Sequence, residues 1–172
     1  MSRNSNYIIH FKGLGLGKHE FNFDIHDSFF TLFEQSEIEK GSVKVHFILD
    51  KKSNFMEFLF DMSGYVHVPC DRCLDEYEQP IEYKGKIIVK FGETSEELSD
   101  EMIVLNKDEY QIDLKDYIYE LILLSIPLRK IHPDDEEGNS TCNKEMLERL
   151  EKYSIKEESK KDSQWSKLND LI

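Results

Sequence analysis

From Val43 to Phe91 the chain repeats one device: apolar side chains at every second position, interrupted by turn formers. Val43, Val45, Phe47 and Leu49 share one parity, and Asp50-Lys-Lys-Ser-Asn54 turns the chain into Met56, Phe58, Phe60 and Met62. After Gly64, Val66, Val68 and Cys70 continue on a single face. The clearest segment is 81–91. There Ile81, Tyr83, Ile87, Val89 and Phe91 point one way, and Glu82, Lys84, Lys86 and Lys90 the other. A period of two is the geometry of an extended strand. Two such runs joined by a short polar turn make a hairpin. A sheet with one apolar face is therefore the frame into which everything else must fit.

The flanking segments fill that frame. Tyr7, Ile9 and Phe11 alternate, Gly13, Gly15 and Gly17 form a flexible connection, and Phe21, Phe23 and Ile25 resume the period. Asp27 or Ser28 caps a short helix through Phe29, Leu32 and Phe33. A longer helix starts near Asp113, whose carboxylate is placed to cap the amide of Asp116. Leu114, Tyr117, Ile118, Leu121, Ile122 and Leu124 form its apolar surface, and Pro127 ends it. A last helix follows Cys142 and is expected to bury Met146, Leu147, Leu150 and Tyr153. These elements predict an α+β fold, a mainly antiparallel β-sheet with two or three peripheral helices. Residues 1–153 form one domain. Residues 154–172 form a polar linker and a short C-terminal segment carrying Trp165, Leu168 and Leu171.

With 172 residues, 39% of them hydrophobic and 33% charged, the chain can bury a real core beneath a wet surface. No apolar run approaches the roughly 20 residues of a membrane span, and Met1-Ser-Arg-Asn-Ser-Asn lacks the apolar centre of a secretory signal. Three cysteines make no disulfide framework, so a reducing cytoplasm is the expected compartment. The formal charge of −13 argues against a generic polyanion binder. It is also uneven: residues 1–92 carry 14 acids and 11 bases, and residues 93–172 carry 21 and 11. The second half is thus suited to a basic protein partner, or simply to solubility.

Val68-Pro-Cys70-Asp-Arg-Cys73-Leu74 is the sharpest local signal. Two cysteines three positions apart at a strand end can place both sulfurs on one cation, and His132 and Cys142 complete the S₃N set of one closed structural zinc site. Plain buried thiols and a redox pair are the alternatives, although the redox reading lacks the helix N-terminus of a βαβ unit. Enzyme patterns are missing. Gly13-x-Gly15-x-Gly17 lacks the Lys-Ser/Thr ending of a phosphate loop, and there is no nucleophile elbow and no His-Glu-x-x-His. His10, His46 and His67 lie in strand patterns, and Asp134–Glu137 reads as a solvated loop. No catalytic residues, small-molecule substrate or membrane contact are expected.

In combination, several landmarks resemble the YceD family, the large-subunit ribosomal RNA accumulation proteins of bacteria and plastids. They are Cys70-Asp-Arg-Cys73-Leu74 after a β-rich half, Glu120-Leu-Ile-Leu-Leu-Ser-Ile-Pro127 ahead of His132, Cys142 leading into a helix, and Asp162-Ser-Gln-Trp165-Ser-Lys-Leu168. The resemblance implies a non-enzymatic accessory factor for accumulation or assembly of large-subunit ribosomal RNA. Such proteins are often encoded beside a small basic ribosomal protein of that subunit. Fuller family members carry a second Cys-x-x-Cys cluster where this chain offers only His132 and Cys142, so either the knuckle is trimmed to His/Cys or the metal is lost. Two kinds of partner follow. Precursor ribosomal RNA would meet Arg72, Lys84, Lys86, Lys90, Arg129 and Lys130, with the strand lysines reading equally as a solvent face. A basic large-subunit ribosomal protein would meet the acidic half, making the chain its binding partner or chaperone.

Overall fold

A computed structural model describes residues 7–99 and 101–154. The predicted C-terminal segment with Trp165, Leu168 and Leu171 lies outside the described residues. The alternation at 43–91 folds as three long antiparallel strands: β3 (Gly41–Lys51), β4 (Phe55–Pro69) and β5 (Glu76–Gly92). Their register aligns the apolar parities. Leu49 stands opposite Phe58, and Phe58 opposite Ile87; Val45 stands opposite Met62, and Met62 opposite Tyr83. A one-residue slip would turn every one of these side chains into water, so the pattern itself fixes the pairing. Gly64 is needed where β4 runs beside β3. A Cβ there would stand 2.1 Å from the Ser42 carbonyl oxygen and 2.7 Å from Val43 Cα.

β2 (Gly17–Ile25) pairs antiparallel with β3 and closes one side of the sheet. On the other side, β6 (Glu96–Ser99) leads into β7 (Met102–Asn106), which inserts between β5 and β6 and runs parallel to β5. The six-stranded order is β2-β3-β4-β5-β7-β6, and a separate two-stranded ladder joins β1 (Ile8–Ile9) to β8 (Ile112–Asp113). The parallel pair exists because the chain crosses from β5 to the outer edge before doubling back.

One sheet face is closed by α1 (Asp27–Phe30), α2 (Lys115–Ser125) and the ladder of β1 and β8. Phe47, Leu49, Met56, Phe58 and Val89 meet Phe29, Phe30, Ile118 and Ile122 in one core, all fully buried. Burial of each such side chain stabilises the fold by about 1.5–3 kcal/mol. Phe33 stacks on Tyr119 with centroids 3.9 Å apart, fastening the loop after α1 to α2.

Several local expectations are corrected. The Asp27 carboxylate accepts from the Gly41 amide at 2.9 Å and does not cap α1, because a four-residue helix packed on β3 has that donor nearer. Asp113 accepts from the Lys115 amide at 3.0 Å, two residues on, not from Asp116. Leu124 is 72% exposed, since it lies on the helix side away from Ile118 and Ile122. α3 (Lys144–Tyr153) buries no residue: Met146 and Leu147 are half-covered, while Leu150 and Tyr153 are 49% and 77% exposed. Its N-terminus docks and its C-terminal turns lead away from the sheet.

Candidate metal centre

β4 ends at Pro69, and the turn to β5 is built around Cys70. The Cys70 amide donates to the Asp75 carbonyl (2.9 Å), the Leu74 amide returns to the Cys70 carbonyl (2.9 Å), and the Arg72 amide points at Cys70 Sγ (3.4 Å). This tight loop puts Leu74 at φ +64°, a left-handed conformation that costs a β-carbon residue about 1–2 kcal/mol. In return the Cys70 and Cys73 thiols are both buried on the same side of the turn.

The second half of the set arrives from the segment after α2. Pro127 stops the helix, and the chain then runs back past the knuckle. The Asp71 amide donates to the Lys130 carbonyl and the Lys130 amide to Asp71 Oδ2, both at 2.7 Å. Asn143 caps α3 by accepting from the Glu145 and Met146 amides, and its Nδ2 donates to Asp75 Oδ2 at 3.0 Å. These clamps, from residues flanking the cysteines, deliver His132 and Cys142 to Cys70 and Cys73.

The four ligand atoms lie within 4.8 Å of one another. Cys70 Sγ is 3.8 Å from Cys142 Sγ, Cys73 Sγ is 3.5 Å from His132 Nδ1, and Cys142 Sγ is 3.8 Å from the same nitrogen. A regular tetrahedron with zinc–sulfur bonds of ~2.3 Å and zinc–nitrogen bonds of ~2.0–2.1 Å has edges of about 3.8 Å between sulfurs and about 3.6 Å from sulfur to nitrogen. Three of the six edges are thus close to metal-site dimensions. The set is three buried thiols and one half-buried imidazole, with Tyr77 packed on the His132 ring at 4.6 Å. Burial pushes the Cys70 thiol up, but the Cys73, Arg72 and His132 amides and the His132 ring outweigh it and bring it down to about 6. Cys142 is pushed up by burial and by the neighbouring thiols. The residues present fit a closed structural zinc site.

Compared with known proteins, residues 59–172 match the YceD family, described as large ribosomal RNA subunit accumulation protein YceD. That stretch covers both halves of the Cys/His set and well over half the chain. The chain belongs to the YceD family. It is also 31% identical over 103 residues to the protein YlbN of Bacillus subtilis (strain 168), a stretch that spans 59% of this chain and 59% of that protein's length. No solved structure matches.

Within this YceD-family fold the six basic residues singled out in the sequence fall into two groups. Arg72, Arg129 and Lys130 gather at the knuckle tip through the Asp71–Lys130 clamp, and none of them forms an ion pair among the described residues. Lys84, Lys86 and Lys90 lie along the exposed face of β5. Lys84 pairs with Asp61 at 2.8 Å and Lys86 with Glu57 at 3.4 Å, both from the adjacent strand β4, so two of these charges are locally compensated. Lys90 is fourteen residues along β5 from Glu76, roughly 45 Å of strand. In the acidic loop, the Asp135 carboxylate is held below its usual range chiefly by the Asn139 amide it accepts from, and further by the Glu137 amide. Among the described residues, no helix is long and apolar enough to cross a membrane.

Sequence reasoning missed Tyr77, Asp71, Asp75 and Asn143 as supports of the site. The aspartates flank the knuckle in Cys70-Asp-Arg-Cys73-Leu-Asp75, which was the available signal. Tyr77 offered none beyond its strand parity.

Proposed function

We propose that this YceD-family protein is a cytoplasmic, non-enzymatic accessory factor for the accumulation or assembly of large-subunit ribosomal RNA, and that Cys70, Cys73, His132 and Cys142 hold one structural zinc. The observation that carries the site reading is the convergence of three thiols and an imidazole at edges of 3.5–3.8 Å from sequence positions up to 72 residues apart. Bound zinc would supply no reaction chemistry. It would tie the segment 130–143 and the start of α3 to the end of the sheet, setting Arg72, Arg129 and Lys130 as one basic tip. The YceD family description supports the ribosomal RNA assignment. Three unpaired cations on a fixed scaffold suit the phosphates of a folded RNA, which position a protein without reading sequence.

The test is cross-linking of the tagged full chain in cells, followed by sequencing of the recovered RNA. Large-subunit precursor RNA should be enriched over small-subunit RNA, and Arg72→Ala with Arg129→Ala should lose that enrichment while the fold persists. Equal recovery of both RNAs by the unaltered chain would refute the assignment.

A second reading is favoured by the acidic loop. Asp134, Glu136 and Glu137 are exposed, with no ion pair among the described residues. They suit a basic large-subunit ribosomal protein, for which the chain would act as binding partner or chaperone.

A further inference from the structure

At the end of β5 opposite the knuckle, the structure holds a cleft of about 480 Å³ lined by Phe11, Lys12, Lys51, Phe91, Lys107 and Glu109. That volume falls within the roughly 300–1,000 Å³ of small-ligand sites. Three lysines meet there in a chain of net charge −13. Unlike Lys84 and Lys86, none of the three forms an ion pair among the described residues. Among the described residues the one lining carboxylate, Glu109, is engaged by the Ser95 hydroxyl.

The three lysines are placed in two ways. The Lys51 ammonium donates to the carbonyls of Phe11 (2.9 Å) and Leu14 (2.7 Å), pinning the 3₁₀ turn Phe11–Gly13 against β3 and leaving one N–H. The Lys12 amide donates to the Tyr110 carbonyl and the Lys107 amide to the Gly92 carbonyl, so both backbones are fixed while their side chains stay exposed. Phe91 is half-buried, with its ring 6.0 Å from the buried Phe11 ring. Ser53 and Asn54, from the turn between β3 and β4, add polar groups to the rim.

We infer that this cleft binds a nucleotide unit, its phosphate held by Lys12, Lys107 and the free N–H of Lys51 and its base against Phe91. Cations beside an accessible aromatic edge or face are the recurring means of holding single-stranded nucleic acid, because every base has a π face and every nucleotide a phosphate. The unit can come from a strand of RNA or from a free nucleotide, and only the first source rests on the ribosomal RNA reading above. With RNA bound, the chain has two contact points at opposite ends of β5.

The test uses the full-length chain, a fluorescently labelled single-stranded decauridylate and unlabelled uridine monophosphate, followed by anisotropy across a salt series. Lys12→Gln with Lys107→Gln should weaken decauridylate binding at least tenfold and flatten the salt dependence by up to about 0.7 in slope, the value for one phosphate contact on a single strand. Phe91→Leu should weaken binding at unchanged slope. Lys44→Gln, at an exposed position of β3 seven residues from Lys51, is the surface control and should stay within twofold. Unchanged near-ultraviolet dichroism verifies the fold of each variant. Displacement by uridine monophosphate at equal affinity would assign the cleft to a free nucleotide, and affinity that grows with oligomer length would assign it to RNA. No binding of either probe at low salt, or equal binding by the cleft variant, overturns the inference. In-cell cross-linking separates the two readings. If the cleft variant recovers as much large-subunit precursor as the unaltered chain, the RNA source fails while the assembly role stands; if the unaltered chain recovers none, the assembly role fails.

Discussion

Removing zinc from Cys70, Cys73, His132 and Cys142 should loosen one end of the molecule and leave the sheet standing. The large apolar side chains that are fully buried come from β2, β3 and β4, α1 and α2, and the loops beside them, and none is contributed by residues 127–154. α3 buries no side chain, so its position depends on Cys142, the Asn143–Asp75 bond and partial cover of Met146 and Leu147. At zinc a hundredfold above its dissociation constant, mass action adds about 2.7 kcal/mol to the folded state. For a chain of this size, with roughly 2–4 °C per kcal/mol, the melting temperature should rise by about 5–11 °C. Cys142→Ser keeps the shape of the side chain but removes one thiolate, and should abolish most of that rise. Calorimetry with and without a chelator gives the shift, and hydrogen exchange locates it: protection should fall across 130–153 and persist in β3 and β4. Cobalt in place of zinc should show thiolate-to-metal absorption. Coincident melting of the loaded and chelated chains, or an undiminished metal shift in Cys142→Ser, would refute the reasoning.

Phe58→Ala should cost about 3–5 kcal/mol in denaturant unfolding, because the ring is fully buried against Phe47 and leaves a cavity that strands cannot close. Lys84→Gln with Lys86→Gln should leave the unfolding midpoint nearly unchanged by the same assay, since exposed pairs with Asp61 and Glu57 contribute little. In the zinc-free chain, a Cys70 thiol at about 6 against an ordinary 9.0 means that the folded state sheds its proton first. Its stabilising contribution is therefore complete above pH 9 and lost as pH falls through 6, so unfolding midpoints should climb between those values and Cys70→Ser should remove the climb. Charge reversal of Asp134, Glu136 and Glu137, sparing the Asp135 that holds the loop together, should reduce capture of basic ribosomal proteins in a pull-down. Unchanged capture would remove this loop as the contact.

How far the sequence could be read depended on whether each residue's fate was local. Val43 to Phe91 was legible because a strand's period is independent of its partner, and the register followed from matching apolar parities. β7 was not. Met102–Asn106 is short, and its parallel pairing with β5 depends on a crossover that no local pattern announces. The Cys/His set was legible as chemistry before it was legible as geometry: residue types named His132 and Cys142, but only the Asp71–Lys130 and Asn143–Asp75 clamps bring them to the knuckle. The cleft at Lys12, Lys51 and Lys107 left no trace, because its members come from three distant segments. Helix faces misled where burial was assumed from spacing: Leu150 and Tyr153 keep the period of a packed helix, but no layer covers them.

The ladder that joins Ile8–Ile9 to Ile112–Asp113 gives the chain a timetable. β2 to β5 pair with immediate sequence neighbours and can assemble as each strand leaves the ribosome. The first strand must wait for a partner about a hundred residues behind it, roughly 5–20 s of synthesis at ordinary elongation rates. During that interval Ile9, buried in the finished molecule, lacks its strand partner Ile112. Closure of the whole domain is therefore a late event, set by the arrival of residue 113 and the helix that follows it.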